Sequence, residues 1–277
     1  MACPESGRRL IVNADDFGRS NSINQAVIQA HREGILTSAS LMVSEPGFAK
    51  AVELARETPK LGVGLHLTLL SGHSALPEAR IPNLVNARGE FSNDPVAAGF
   101  RYFLDPRLHD QLRAEIHAQF QEFRATGLLL DHVNGHLHLH LHPLVFAILV
   151  EDADRLGIRH LRLTRDAFWL NTRLAGGRWL YRVSHALFFT IASTAARRVI
   201  RRRRIQHTQR VFGLLQDSRV DEKYVLKLLP HLPRGDSELY SHPSLDDFRH
   251  EFDALVSPRV KALVEELGIK LIRYQDL

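Results

Sequence analysis

Apolar positions along the chain follow two rhythms that take turns. Short hydrophobic runs with β-branched residues, the mark of buried strands, fall at residues 10–13, 37–43, 61–67, 128–133, 160–163, 211–215, 238–241 and 270–274. Between them, apolar residues three and four apart predict helices over 22–33, 46–55, 108–126, 143–156, 220–229 and 246–267. Pro46 and Pro143 suit first helical turns, and Gly34, Gly127 and Gly157 suit helix ends. Strands alternating with helices predict parallel βαβ units. No composition break reads as a linker, and there is no internal repeat. The expected architecture is therefore α/β: an irregular TIM-like (β/α) barrel formed as a single domain over residues 1–277. An open doubly wound sheet is the alternative.

Two stretches depart from the rhythm. Residues 71–106 are rich in Pro, Gly and Asn and predict a long functional or lid-like excursion. Residues 168–210 form an insertion of different character. The formal net charge is +5, yet ten arginines and no acid lie between Arg173 and Arg210, so the rest of the chain is net acidic and the basicity is local. Residues 179–196 are mostly apolar, and the run from Ala186 to Ala196 is too short to span a bilayer. With Arg197, Arg198 and Arg201 to Arg204 close behind, the insertion predicts a helix lying in the interface of an anionic membrane. An ordinary barrel helix with a solvated arginine tail is the competing reading. No aromatic interleaving or nucleic-acid motif accompanies the arginines, so no nucleic acid is expected. A single cysteine, Cys3, excludes an intramolecular disulfide framework and suits a reducing compartment. Residues 1–9 hold no apolar run of the signal-peptide kind, so the expected location is cytoplasmic, with the basic insertion suiting a peripheral place on the inner membrane face.

In barrels of this kind chemistry gathers at the C-terminal ends of the strands, and the reactive side chains fall at those ends. Asp15 and Asp16 follow the first strand, His66 closes the third, and Asn134 and His136 follow the fourth. Arg165 follows the fifth, and His242 follows the strand at 238–241. An aspartate with two histidines makes an open metal centre. Such a centre activates water and polarises a carbonyl; a second carboxylate supplies a base. His136, His138, His140 and His142 alternate with leucines, which puts all four on one face of an extended segment. Spacing alone does not say which of them binds metal.

Several motifs together resemble one family. Asn13-Ala14-Asp15-Asp16-Phe17-Gly18, Gly64-Leu65-His66, Gly135-His136 with His138, His140 and Pro143, Ser241-His242-Pro243, and the closing Arg273-Tyr274-Gln275-Asp276 are similar to the YdjC-like carbohydrate deacetylases. The resemblance implies metal-dependent removal of an acetyl group from an N-acetylated sugar. It implies Asp16, His66 and His136 as metal ligands, Asp15 as general base and His242 as acid. Arg165 and His138 are implied near substrate or behind the ligands. The implied cofactor is one divalent ion, Mg²⁺ by resemblance, with Zn²⁺ chemically suited to the same donors. Where the family commonly has Asp, this chain has Asn134. Residues 169–215 look most like the hopanoid-biosynthesis-associated branch. The implied partner is an N-acetylated glycolipid, an N-acetylglucosaminyl hopanoid, with peripheral contact to anionic membrane. A soluble chitooligosaccharide deacetylase is the alternative, and a glycan- or lipid-binding protein on the same fold is the non-enzymatic one.

Overall fold

The computed structural model describes residues 7–174, 176–177, 179–216 and 218–277. Cys3 and, among the ten arginines of the insertion, Arg178 lie outside the described residues. The first half of the chain runs β1 (Arg8–Phe17), α1 (Asn21–Glu33), β2 (Ser38–Leu41), α2 (Phe48–Arg56), β3 (Gly62–Leu67), α3 (Pro95–Leu104), α4 (Leu108–Ala125) and β4 (Val133–Gly135). The second half runs α5 (Pro143–Glu151), α6 (Ala153–Leu156), α7 (Phe168–Leu174), α8 (Trp179–Arg202), β5 (Arg210–Phe212), α9 (Glu222–Leu228), β6 (Gly235–Ser241), α10 (Arg249–Val256), α11 (Pro258–Glu266) and β7 (Lys270–Leu271).

All strand pairs are parallel, in the order β4-β3-β2-β1-β6-β5, with β7 added beside β1. The domain is thus an α/β half-barrel around a curled parallel sheet, short of the irregular TIM-like barrel expected. Two local features prevent regular closure. β1 is shared on one side: β2 pairs with Asn13, Ala14 and Phe17, while β7 takes Arg9 and Leu10. The predicted strand at 160–163 makes no ladder. It touches its neighbours through single bridges, Val133 to Leu161 and His160 to Gln206, so it spans the gap between β4 and the approach to β5 irregularly.

β1 is buried over eight consecutive residues because both of its faces are covered. Ile11 on one face packs with Ile272 and Tyr274, and Leu10, Val12 and Ala14 join the main core. β3 can lie against the segment before β4 because it carries glycine at 62 and 64: a Cβ on Gly64 would meet the His132 ring at 2.5 Å. Helices end where backbone chemistry requires. Ser20 caps α1 by accepting from the Ile23 amide, and Pro258 splits the expected 246–267 helix into α10 and α11. The excursion at 71–106 contains α3. The insertion at 168–210 becomes α7 and α8, and α8 packs back on the domain through Phe189, Ala196 and Ile200, with the Ser193 hydroxyl donating to the Thr164 carbonyl at 2.9 Å. Among the described residues no helix is long and apolar enough to cross a membrane.

Candidate metal and acid-base site

The site is assembled at the C-terminal ends of β1, β3, β4 and β6. Asp15 and Asp16 belong to β1 itself, and the strand ends in an unusual conformation: Asp16 is left-handed, with φ 63°. A non-glycine residue there is strained. The strain turns two successive carboxylates toward the same region, where strand alternation would have sent them to opposite faces. Gly18 follows at φ 94°, and a Cβ there would meet the Met42 carbonyl at 2.7 Å.

Asp16, His66 and His136 form the one buried cluster of potential metal donors among the described residues, their donor atoms all within 4.8 Å of one another. Asp16 Oδ1 lies 3.2 Å from His66 Nε2 and 3.0 Å from His136 Nδ1. The other Asp16 oxygen accepts from Arg19 at 2.9 Å. Parallel register places His66 opposite Asn134, and His66 Nδ1 donates to Asn134 Oδ1 at 2.7 Å. That bond fixes the ring and directs Nε2 at Asp16, the arrangement by which a partner behind a histidine prepares it for a cation. Burial lowers the His66 pKa, but Asp15 and then Asp16 outweigh it and raise the value. Burial likewise raises Asp16, and His136 and His66 pull it well below the carboxylate range. One carboxylate and two imidazoles fit a divalent cation and leave coordination positions for substrate and water.

Asp15 stands beside this cluster, its Oδ1 4.0 Å from His66 Nδ1. Its principal partner is Arg162, which is fully buried and donates to it twice, at 2.7 and 2.9 Å. Asn13 and Asn134 also donate to it, at 2.8 and 3.0 Å. Burial pushes the Asp15 carboxyl up, but the Arg162 charge and then His66 hold it far below the usual range, so it is an anion at any physiological pH. Arg162 bridges onward to Glu238 at 2.6 and 2.9 Å, and the Tyr274 hydroxyl donates to the other Glu238 oxygen. The expected guanidinium near Asp15 is therefore Arg162 and not Arg165. Arg165 is half-buried, its backbone carbonyl accepting from the Val211 amide at 3.1 Å, and it is not among the residues lining the cleft.

Asn134 suits its place because it works in both directions. Its oxygen accepts from His66 while its amide donates to Asp15 and, at 2.8 Å, to Ser40 Oγ. Ser40 also accepts from Asn13 at 2.9 Å, so its own proton goes to His132 Nε2 at 2.9 Å, and His132 Nδ1 donates to Asp131 at 3.0 Å.

The histidine run is not extended. Leu137 and His138 take left-handed backbone angles, φ 50° and 59°, which coil the segment and send its histidines to different partners. His136 joins Asp16. His138 Nε2 meets the Tyr240 hydroxyl at 2.9 Å, and burial then Arg162 hold its pKa well down. His140 donates to the Arg162 carbonyl at 3.1 Å, and His142 to the Gly99 carbonyl at 3.1 Å. Tyr240, absent from the sequence expectation, also covers the Arg162 guanidinium, 4.5 Å from its ring centre. His242 reaches the same cleft with its side chain 26% exposed, and its backbone amide is held by buried Glu251 at 2.5 Å.

The cleft above these groups has a volume of about 680 Å³. Asp15, His66, His136, His138 and His242 lie in its lining; much of the rest of the lining is apolar, including Leu70, Phe100, Phe188 and Phe189.

Comparison with known proteins fits this geometry. A carbohydrate deacetylase of Brevibacillus brevis is 40% identical over 154 residues, 55% of this chain and 59% of that protein. A chitooligosaccharide deacetylase of Proteus mirabilis is 36% identical over 170 residues, 59% of this chain and 63% of its own length. The matches to these relatives thus span about three-fifths of their length. A carbohydrate deacetylase of Clostridium beijerinckii aligns over 97% of this chain and all of its own, at 28% identity. The fold matches a solved Enterococcus faecalis structure, a candidate cellobiose-phosphate cleavage protein, with TM-score 0.76 and 24% identity over 97% of this chain and 98% of that one. The model of the YdjC-like protein family matches residues 9–266, and the chain belongs to that family.

Proposed function

We propose that the protein is a metal-dependent hydrolase that removes the N-acetyl group from an amino sugar carried on an apolar aglycone, an N-acetylglucosaminyl hopanoid. The observation that carries the reading is an ionised Asp15 beside the Asp16, His66 and His136 donor set at the polar floor of an otherwise apolar cleft. The names of the relatives, carbohydrate and chitooligosaccharide deacetylases, support the amide of an acetylated sugar as the bond cleaved. A divalent ion held by Asp16, His66 and His136 would supply Lewis-acid polarisation of the acetamide carbonyl. The two imidazoles favour a nitrogen-binding ion such as Zn²⁺, and Mg²⁺ is the competing choice.

The side chains divide the proton work. Asp15, kept anionic by Arg162, takes a proton from the water whose oxygen adds to the carbonyl carbon. His242, also in the lining, gives a proton to the sugar nitrogen as the carbon–nitrogen bond breaks. Acetate and a free amine leave. His138 and Tyr240 form a neutral, hydrogen-bonded pair in the wall, suited to sugar hydroxyls. An intact base and donor set favours turnover over simple glycan or lipid binding.

The apolar walls support a lipid-borne sugar over a soluble oligosaccharide, and α8 supports adsorption to anionic membrane, at the inner face of the cytoplasmic membrane. Each arginine near such a surface contributes roughly 1 kcal/mol, and the attraction weakens with salt. Acetate release from N-acetylglucosaminyl hopanoid and from diacetylchitobiose, after chelation and re-addition of Zn²⁺ or Mg²⁺, tests the reading. We expect release from both and higher kcat/KM on the hopanoid. Release from diacetylchitobiose alone overturns the glycolipid assignment in favour of a chitooligosaccharide deacetylase; release from neither overturns the enzyme. Replacing Arg201, Arg202, Arg203 and Arg204 with Gln is expected to abolish most adsorption to anionic vesicles while sparing diacetylchitobiose hydrolysis.

A further inference from the structure

Two apolar surfaces border the mouth of the cleft, and they come from separate parts of the chain. α3 buries Ala98 and Tyr102 on one face, with the Tyr102 hydroxyl donating to the Leu69 carbonyl at 2.8 Å. Its other face, Val96, Phe100, Phe103 and Leu104, is also apolar and is 64–69% exposed. An ordinary surface helix presents polar residues there. α8 exposes Leu180, Leu187, Phe188 and Ile191 in the same way. Val96, Phe100 and Phe103 of α3 and Phe188 of α8 line the one cleft, so the two patches meet at its rim. Scattered exposed hydrophobic residues need no explanation, but patches gathered around a site mark an interaction surface.

Charge identifies the partner. The outward stripe of α8 runs through positions 180, 187, 191, 194, 198 and 201, three or four or seven residues apart and so on one side of the helix. Its first half is Leu180, Leu187 and Ile191; its second half brings Arg198 and Arg201, and α8 contains no acidic residue. Arg197, Arg198, Arg201 and Arg202 shape a basic cup around Thr194 on this surface. An apolar rim continuing into guanidinium groups matches an anionic bilayer, where acyl chains receive the first and phosphates the second. A second copy of this chain would bring the same arginines face to face, which like charge opposes.

We infer that α3 and α8 are the two lips of a membrane-facing mouth, through which the acylated sugar passes sideways from the bilayer into the cleft. The passage rests on the glycolipid reading above, whereas insertion of α3 is measurable with no substrate present. The α3 lip is the new element: the basic insertion by itself would dock only one side of the opening.

The test uses the full chain in a Cys3→Ser background, carrying an environment-sensitive fluorophore on Leu104→Cys (α3), Leu187→Cys (α8) or, as control, Glu122→Cys at an exposed position of α4. Vesicles are phosphatidylcholine with 30% phosphatidylglycerol, or phosphatidylcholine alone. We expect blue-shifted, brighter emission at 104 and 187 on the anionic vesicles and none at 122. Leu104→Asp, which does not line the cleft, should weaken vesicle binding at least tenfold. It should slow hydrolysis of a vesicle-embedded dodecyl N-acetyl-β-glucosaminide to the same degree, and change diacetylchitobiose turnover less than twofold. A silent probe at 104 with a responding probe at 187 overturns the two-lipped mouth and leaves α8 adsorption standing. Equal hydrolysis of the embedded glycoside by Leu104→Asp and wild type overturns sideways passage. Emission changes at 104 that follow protein concentration without vesicles also overturn it, assigning the lips to a dimer contact. None of these results depends on whether a hopanoid is hydrolysed, so failure of the substrate assignment is separately visible.

Discussion

Arg162→Met tests the electrostatic core of the site, because it keeps most of the side-chain volume and removes the charge. One buried guanidinium serves two buried carboxylates, Asp15 at 2.7 and 2.9 Å and Glu238 at 2.6 and 2.9 Å. Removing one partner of a buried ion pair costs about 3–5 kcal/mol. Here two carboxylates lose their cation, but Asp15 keeps Asn13 and Asn134 as donors and Glu238 keeps the Tyr274 hydroxyl. We therefore expect a loss of about 4 kcal/mol at pH 7, near the cost of one pair and not of two. The sign of its pH dependence follows from Asp15. In the wild type its depressed pKa contributes stability that is present above the unfolded carboxylate value of about 4 and lost as pH falls through the folded value. In the variant burial acts without Arg162, the pKa rises, and protonation discharges the orphaned group as pH falls. The gap between the two proteins is thus widest at neutral pH and narrows toward pH 4. Adding Glu238→Gln to the variant removes one orphaned charge and should restore about 2 kcal/mol. Urea unfolding followed by circular dichroism at pH 7, 5.5 and 4 provides the measurement. A loss below about 1 kcal/mol at pH 7, or a gap that widens toward acid, refutes the reasoning.

Three further outcomes are expected. Purified protein should hold about one divalent ion per chain by elemental analysis, His66→Ala or His136→Ala should lose it, and His140→Ala or His142→Ala should retain it. Asp15→Asn should fold and load metal yet turn over diacetylchitobiose on the order of a hundredfold more slowly; near-normal turnover would move the base elsewhere. Burial, then the Arg162 charge, hold His140 down to about 3. A histidine kept neutral contributes stability that is complete above its unfolded pKa of about 6.5 and is lost as pH falls toward the folded value. At roughly 1.4 kcal/mol per pH unit, the wild type should lose about 2 kcal/mol from this group between pH 6.5 and 5. His140→Gln, which can still donate to the Arg162 carbonyl, should lack that component, and parallel stability profiles would contradict it.

The motifs that resist burial were the most legible parts of the chain. Asp15, Asp16, His66, His136 and His242 stand at strand ends in the sequence; Asp15, His66, His136 and His242 line one cleft, and Asp16 joins His66 and His136 in the donor cluster. The strands of β1 to β3 and β6 follow from their apolar runs. What the sequence obscured depends on long-range partners or on backbone angles. Arg162 sits in an apolar alternation, His160-Leu161-Arg162-Leu163, and a charge inside a strand is itself a sign of a buried carboxylate partner. That sign was available, but the strand-end rule pointed to Arg165. The one-face reading of the four histidines failed because alternation specifies a face only in extended chain, and left-handed Leu137 and His138 break it. Closure of the barrel depends on pairing between distant segments, and the irregular bridges at 160–161 carry no local signature.

The pairing of β1 with β6, from Arg8 opposite Gly235 to Ala14 opposite Ser241, has a consequence for synthesis on the ribosome. The two acids of β1 emerge well before Arg162, which compensates Asp15 and follows 147 positions later. Glu238 and Tyr274, which complete the network, come later still. Until then β1 lacks its central ladder partner and carries carboxylates that no folded interior would accept. A nascent chain therefore has a physical reason to leave its first strand unburied while the later elements are made. Translation products that stop before residue 235 should lack both the fold and the site, and they are natural substrates for holding chaperones and proteases.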